Sequence, residues 1–138
     1  MADAPQPHIM PHLDVEGAVA ALDFYKKAFD AVEMIRMPAQ DGKRLMHASI
    51  KIGDGVVMLH DSFPEYAEMG GTANPKKLGA SSVTIHLYAP DVDKTYKQAV
   101  DAGATSLMSP ADMFWGDRYA KLRDPFGHIW SLGAPIKK

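Results

Sequence analysis

Four of the six histidines, His12, His47, His60 and His86, fall where strand alternation turns them toward one common surface. Imidazole can ligate a metal, accept a proton or hydrogen-bond a ligand, and its charge changes near neutral pH. A metal centre built on three of these rings and a ligand pocket built on at least two are both open. So is a scatter of satisfied polar residues along half-buried strands. His8, near the start of the chain, and His128, in a turn, are expected to be solvated. A second cluster is Phe114-Trp115-Gly116-Asp117-Arg118. Its aromatic rings can shape a pocket rim, and Arg118 can clamp a carboxylate or phosphate bidentately. An equal alternative is a structural ion pair of Arg118 or Arg123 with Asp117 or Asp124.

The rest of the composition narrows the chemistry. The chain has no cysteine, which excludes thiol nucleophiles, disulfides and thiolate metal sites. A formal charge of −2 over 138 residues argues against nucleic acid or an anionic membrane as partner. There is no membrane-length apolar run, no secretory signal in the first six residues, no glycine-rich phosphate loop and no nucleophile elbow. A cytoplasmic protein fits these features.

Positioning the histidines requires strands, and the order of elements repeats. The first half reads strand 8–14, helix 17–29, then strands 32–37, 45–52 and 56–61. The second reads strand 82–88, helix 91–102, then strands 105–108, 117–123 and 128–132. Ala18, Leu22, Tyr25 and Phe29 form one helical stripe, and Val92, Tyr96, Ala99 and Val100 another. Asp30 and Gly103 stand where left-handed terminators are expected. Turns are marked by Asp41-Gly42, Gly53-Asp54-Gly55 and Asp124-Pro125-Phe126-Gly127. The connector 63–80 is aperiodic and rich in Gly and Pro, and reads as a linker or lid.

Alternation predicts Met46, Ala48, Ile50 and Ile52 under the helix, with Leu45, His47, Ser49 and Lys51 on the groove. Val56, Met58 and His60 face the groove in the next strand. In the second half, Thr84, His86 and Tyr88 face the groove, with Val83, Ile85 and Leu87 beneath. Met10, His12 and Asp14 alternate inward in the first strand, where Pro11 interrupts pairing. Asp61 and Trp130 point away from the groove. The fold class is therefore α+β, with two βαβββ modules at about 8–62 and 81–135 in one domain of 138 residues.

Stretches along nearly the whole chain carry a family resemblance. They include Ala21-Leu-Asp-Phe-Tyr-Lys-Lys-Ala-Phe29, Met46-His-Ala48, Ile52-Gly-Asp54, Val57-Met-Leu59, His86-Leu-Tyr88 and Leu122-Arg-Asp-Pro-Phe-Gly-His-Ile-Trp130. Together they resemble the vicinal oxygen chelate superfamily of glyoxalases, bleomycin-resistance proteins and dioxygenases, and more narrowly its PhnB-like subgroup. The resemblance implies an open, U-shaped mixed sheet around a cavity, commonly in a homodimer. It also implies a divalent ion held by four side chains, mostly His and Glu, in metal-dependent members. Those positions fall here at Met10, Met58, Thr84 and Ser131. Two thioethers, a threonine and a serine do not hold a hard or borderline divalent ion.

The resulting expectation is a protein that binds a small organic molecule between its modules, without cofactor or the usual metal. His12, His47, His60, His86, Trp115 and Arg118 are its expected ligand-binding residues. The alternative is a metal-dependent lyase, isomerase or dioxygenase using a displaced histidine site, since His12, His60 and His86 each lie two residues past a usual ligand position.

Overall fold

In the computed structural model, which describes residues 6–69 and 73–137, the elements come in the repeated order. The first half contains β1 (His12–Val15), α1 (Ala18–Phe29), β2 (Val32–Pro38), β3 (Leu45–Ile52) and β4 (Gly55–Asp61). A 3₁₀ segment (Pro64–Met69) and a short helix α2 (Pro75–Leu78) occupy the connector. The second half contains β5 (Thr84–Tyr88), α3 (Val92–Ala102), β6 (Thr105–Asp112), β7 (Asp117–Arg123) and β8 (Ile129–Pro135). The predicted Gly70-Gly71 pair of the linker lies outside the described residues.

Each half forms a four-stranded mixed sheet, in the orders β1-β4-β3-β2 and β5-β8-β7-β6. The first strand of each half pairs parallel with the last: His12 stands opposite Met58, and His86 opposite Ser131. β1 starts later than predicted because Pro11 has no N–H to give. Its carbonyl nevertheless accepts the Met58 N–H at 2.8 Å.

The helices cover one face of the sheets. α1 buries Ala21, Leu22, Phe24, Tyr25, Ala28 and Phe29 against Ala48, Ile50 and Leu59 of the core. Burying a side chain such as Leu22 or Phe29 contributes roughly 1.5–3 kcal/mol. Gly17 and Asp30 bracket the helix in left-handed conformations. No neighbouring side chain caps its N-terminus. Instead Asp61, from the end of β4, accepts the Gly17 and Ala18 N–H groups at 2.8 and 2.9 Å and the Leu45 N–H at 2.7 Å. A remote carboxylate thus meets both the orphan donors and the positive end of the helix dipole.

The two halves meet around another buried carboxylate. Asp124 accepts the Tyr25 hydroxyl at 2.5 Å, the Trp130 indole N–H at 2.9 Å, and the Phe126 and His128 N–H groups at 2.9 and 3.0 Å. Tyr25 belongs to α1, so this carboxylate ties the first helix to the β7–β8 turn. Burial, then the Asp124 charge, pushes the Tyr25 hydroxyl up, which keeps it a neutral donor. Tyr25, Phe29 and Trp130 pack around this network with ring centroids 4.7–6.3 Å apart. The Gln98 side chain adds bonds to the Lys27 carbonyl and Asp30 between α3 and α1.

Face assignments hold along most strands. Ala48, Ile50, Ile52, Val57 and Leu59 are buried, whereas Met58 and His60 are half-buried. At the start of β3 the prediction inverts: Leu45 is buried and Met46 is 50% exposed. The register of β2 against β3 slips between Met37 and Pro38, opposite Leu45, and this irregularity resets the parity there. Val83, expected beneath the sheet, precedes β5 and is exposed.

Replacing Asp124 with Ala strands three or more buried donors, and the expected loss is roughly 3–5 kcal/mol of unfolding free energy. Tyr25→Phe, which removes one donor, should cost about 1.5–3 kcal/mol. Urea denaturation followed by circular dichroism measures both. A loss near about 1 kcal/mol for Asp124→Ala, the worth of one ordinary hydrogen bond, would refute the tie.

Candidate functional site

Between β1 and β5 lies a cleft of about 630 Å³. Ile9, Met10, Leu13, Pro75, Leu78, Val83 and Ile85 give it an apolar lining. Its polar groups include His12, His86, His128, Thr84 and Asp14. Among the described residues that line it there is no Lys or Arg. The cleft therefore offers imidazole and hydroxyl groups on apolar walls, in the size range of small-molecule sites.

The connector builds one wall, and a hydrogen-bonded chain holds it there. Asn74 is buried, donates to Ser62 Oγ at 2.8 Å and caps α2 by accepting the Lys77 N–H at 3.1 Å. Ser62 in turn donates to the Asp14 carboxylate. The carbonyl of Asp14 receives His128 Nε2–H at 2.9 Å, since a carbonyl oxygen can only accept. His128 is thus a cleft residue joining the two halves, not the solvated turn residue expected from sequence.

His12 sits in a cluster of imidazoles. Its ring centroid is 4.8 Å from that of His60 and 5.6 Å from that of His47, both edge to face. His60 Nδ1 lies 2.7 Å from the Asp61 carbonyl, so Nδ1 carries the proton and Nε2 presents its lone pair. Burial, then the nearby His60 and His47, pushes His12 below its ordinary 6.5.

The second half repeats this geometry with different residues. Met58 pairs with Ser49 and Ser131 with Lys121, so His12 corresponds to His86, His47 to Tyr119 and His60 to Gly133. His86 stacks on Tyr119 at 6.2 Å and 13°, and its Nδ1 lies 2.8 Å from Ser131 Oγ. Trp115 packs edge-on against Tyr119 at 5.5 Å. A Cβ at Gly133 would come within 2.8 Å of His86 Cε1. Glycine there makes room for the imidazole.

Of the sequence-predicted residues, then, His12 and His86 line the cleft directly. His47 and His60 adjoin it through His12, whereas Trp115 does not line it and is linked to it only through Tyr119 and then His86. Arg118 does not belong to it. That side chain shares parity with Ala120 and Leu122 on the helix face, where Asp93 binds it at 2.8 and 3.0 Å and Asp112 at 3.3 Å. Arg118 is in an ion pair, but with Asp93 and Asp112 rather than with Asp117 or Asp124 as expected. Tyr119 was legible as a groove residue only by counting from Leu122, and His128 gave no signal at all.

The chain's family follows from comparison with known proteins. The profile of the Glyoxalase/Bleomycin resistance protein/Dioxygenase superfamily matches residues 6–132, and the chain belongs to that superfamily. It is 48% identical over 138 residues to the uncharacterized protein Rv0887c of Mycobacterium tuberculosis, covering all of this chain and 80% of the relative. Among solved structures, TioX from a Micromonospora species superposes with a TM-score of 0.71 at 24% identity, covering 94% of this chain and 99% of the other. A gene product of Arabidopsis thaliana, At5g48480, superposes equally well, with a TM-score of 0.71 at 25% identity over 94% and 100% of the two chains.

The divalent ion of metal-dependent relatives does not fit the residues present. At the corresponding positions Met10 and Thr84 line the cleft, Met58 offers a thioether, and Ser131 is buried with its hydroxyl engaged by His86. Among the described residues, no group of three or more His, Asp or Glu side chains is positioned to hold a metal ion.

Two outcomes test this geometry. In proton NMR the His12 ring should titrate below 6.5, and His47→Ala or His60→Ala should move it upward. A folded-state value lowered in this way contributes stability that is present above the unfolded value of 6.5 and is lost as pH falls through the folded value. Gly133→Ala should leave folding nearly intact, because the backbone there is ordinary and the clashing atom is the far end of an exposed side chain. It should shift the His86 ring resonances, and unchanged resonances would refute the packing.

Proposed function

We propose that this protein binds a small organic molecule in the cleft between β1 and β5, in the manner of the sequestering members of its superfamily. The observation that carries the reading is the pairing of apolar walls with His12 and His86 at internally equivalent positions. A ligand with an apolar body and hydrogen-bonding atoms toward each end suits this arrangement. The absence of Lys and Arg from the described lining favours an uncharged ligand over a carboxylate or phosphate. The family resemblance and the Asp-Pro-Phe-Gly turn support assignment to the PhnB-like subgroup.

Nile red, an uncharged apolar dye, is a suitable probe. We expect saturable fluorescence enhancement near one equivalent of dye. Val83→Lys places a charge on an exposed position of the lining and should abolish the enhancement without touching the core. His86→Ala should weaken binding, and because it leaves the buried Ser131 hydroxyl without its partner it should also cost about 1–2 kcal/mol of stability, too little to unfold the protein. Dye binding that Val83→Lys leaves intact would place the ligand elsewhere and overturn the assignment.

A further inference from the structure

Met58, one of the residues that rejects the family's hard divalent ion, stands among histidines that together form an acceptable set for a different metal. On the groove face of the first sheet, His12 stands directly opposite Met58 in the parallel β1–β4 pair, and His60 follows two residues later on β4. Parallel neighbours and alternate residues of one strand project to the same side. Met58, His12 and His60 therefore share one patch, with His47 against His12.

The chemistry of this patch is soft. Thioethers and imidazoles favour Cu(I), and a monovalent soft ion is satisfied by a low coordination number. The lack of a three-residue His, Asp or Glu cluster speaks against Zn²⁺, which wants a filled tetrahedral shell. It also means that His12, His47 and His60 do not form a three-histidine site by themselves, so the set is completed by the Met58 thioether beside His12 and His60. His60 is prepared for this role: its Nδ1–H is held by the Asp61 carbonyl, which fixes the tautomer and leaves Nε2 free to ligate. His12 and Met58 are half-buried or exposed, so an ion can reach them. The second half has Ser131 and Gly133 at the places of Met58 and His60, so it lacks an equivalent set.

We propose that His12, Met58 and His60, with His47 beside them, bind one Cu(I) ion on the groove face of the first module. This site is independent of the small-molecule reading except for the shared His12.

The test is an anaerobic titration of untagged protein with Cu(I) in competition with bicinchoninate. We expect one equivalent to be retained. Met58→Leu conserves volume and should weaken retention by at least about tenfold, as should His12→Ala. Met46→Leu, at an exposed thioether outside the patch, should change nothing. His86→Ala should leave Cu(I) retention intact while weakening Nile red, which separates failure of this proposal from failure of the cleft assignment. Circular dichroism checks that each variant is folded. No retained Cu(I), retention indifferent to both Met58→Leu and His12→Ala, or tighter binding of Zn²⁺ than of Cu(I) would overturn the proposal.

Discussion

The buried carboxylate of Asp124 is the constraint on which the relation between the two halves rests. Four donors converge on it, from α1, from β8 and from its own turn. A buried charge without such partners would be prohibitive, so the turn, the tyrosine and the indole must all be in place together. The aromatic packing of Tyr25, Phe29 and Trp130 adds apolar burial around the same point. The cleft between β1 and β5 is a consequence: the halves are joined on their helix side, and their first strands run past one another without pairing.

Duplication gave the halves one backbone plan and left their groove faces free to diverge. The convex positions stay apolar because the helices demand it: Ala48, Ile50 and Leu59 in one sheet, Ala120, Leu122 and Leu132 in the other. The groove positions differ pair by pair. His47 matches Tyr119, and His60 matches Gly133, while a histidine persists at the His12 and His86 positions. One face became a cluster of imidazoles and thioethers, and the other an aromatic row from Trp115 through Tyr119 to His86.

Much of this was legible in the residues, and the failures have physical causes. Helices and hairpins announced themselves through apolar stripes and Asp-Gly turns, and β3 and β7 begin and end where alternation put them. Met46 and Leu45 were misassigned because a register slip is a property of two strands and is invisible in either alone. Arg118 was misplaced because its partner Asp93 is 25 residues away, beside the start of α3. His128 escaped notice because it bonds a backbone carbonyl 114 residues earlier, which no side-chain pattern can encode. The connector's role as a cleft wall depends on Asn74 finding Ser62, again a contact that spacing alone does not reveal.

Asp61 has a bearing on how the chain is made. It is the last residue of the first sheet, yet it completes the start of a helix 43 residues earlier and anchors the start of β3. On the ribosome, α1 therefore cannot be capped until β4 has emerged. Once Asp61 is out, every hydrogen-bonded neighbour within the first sheet is present, before any of the second sheet exists. At that point the carboxylate that receives the Tyr25 hydroxyl has not yet been synthesised. Vectorial synthesis and the two acidic residues thus set an order of availability: the partners of Asp61 are all present before Asp124 is made.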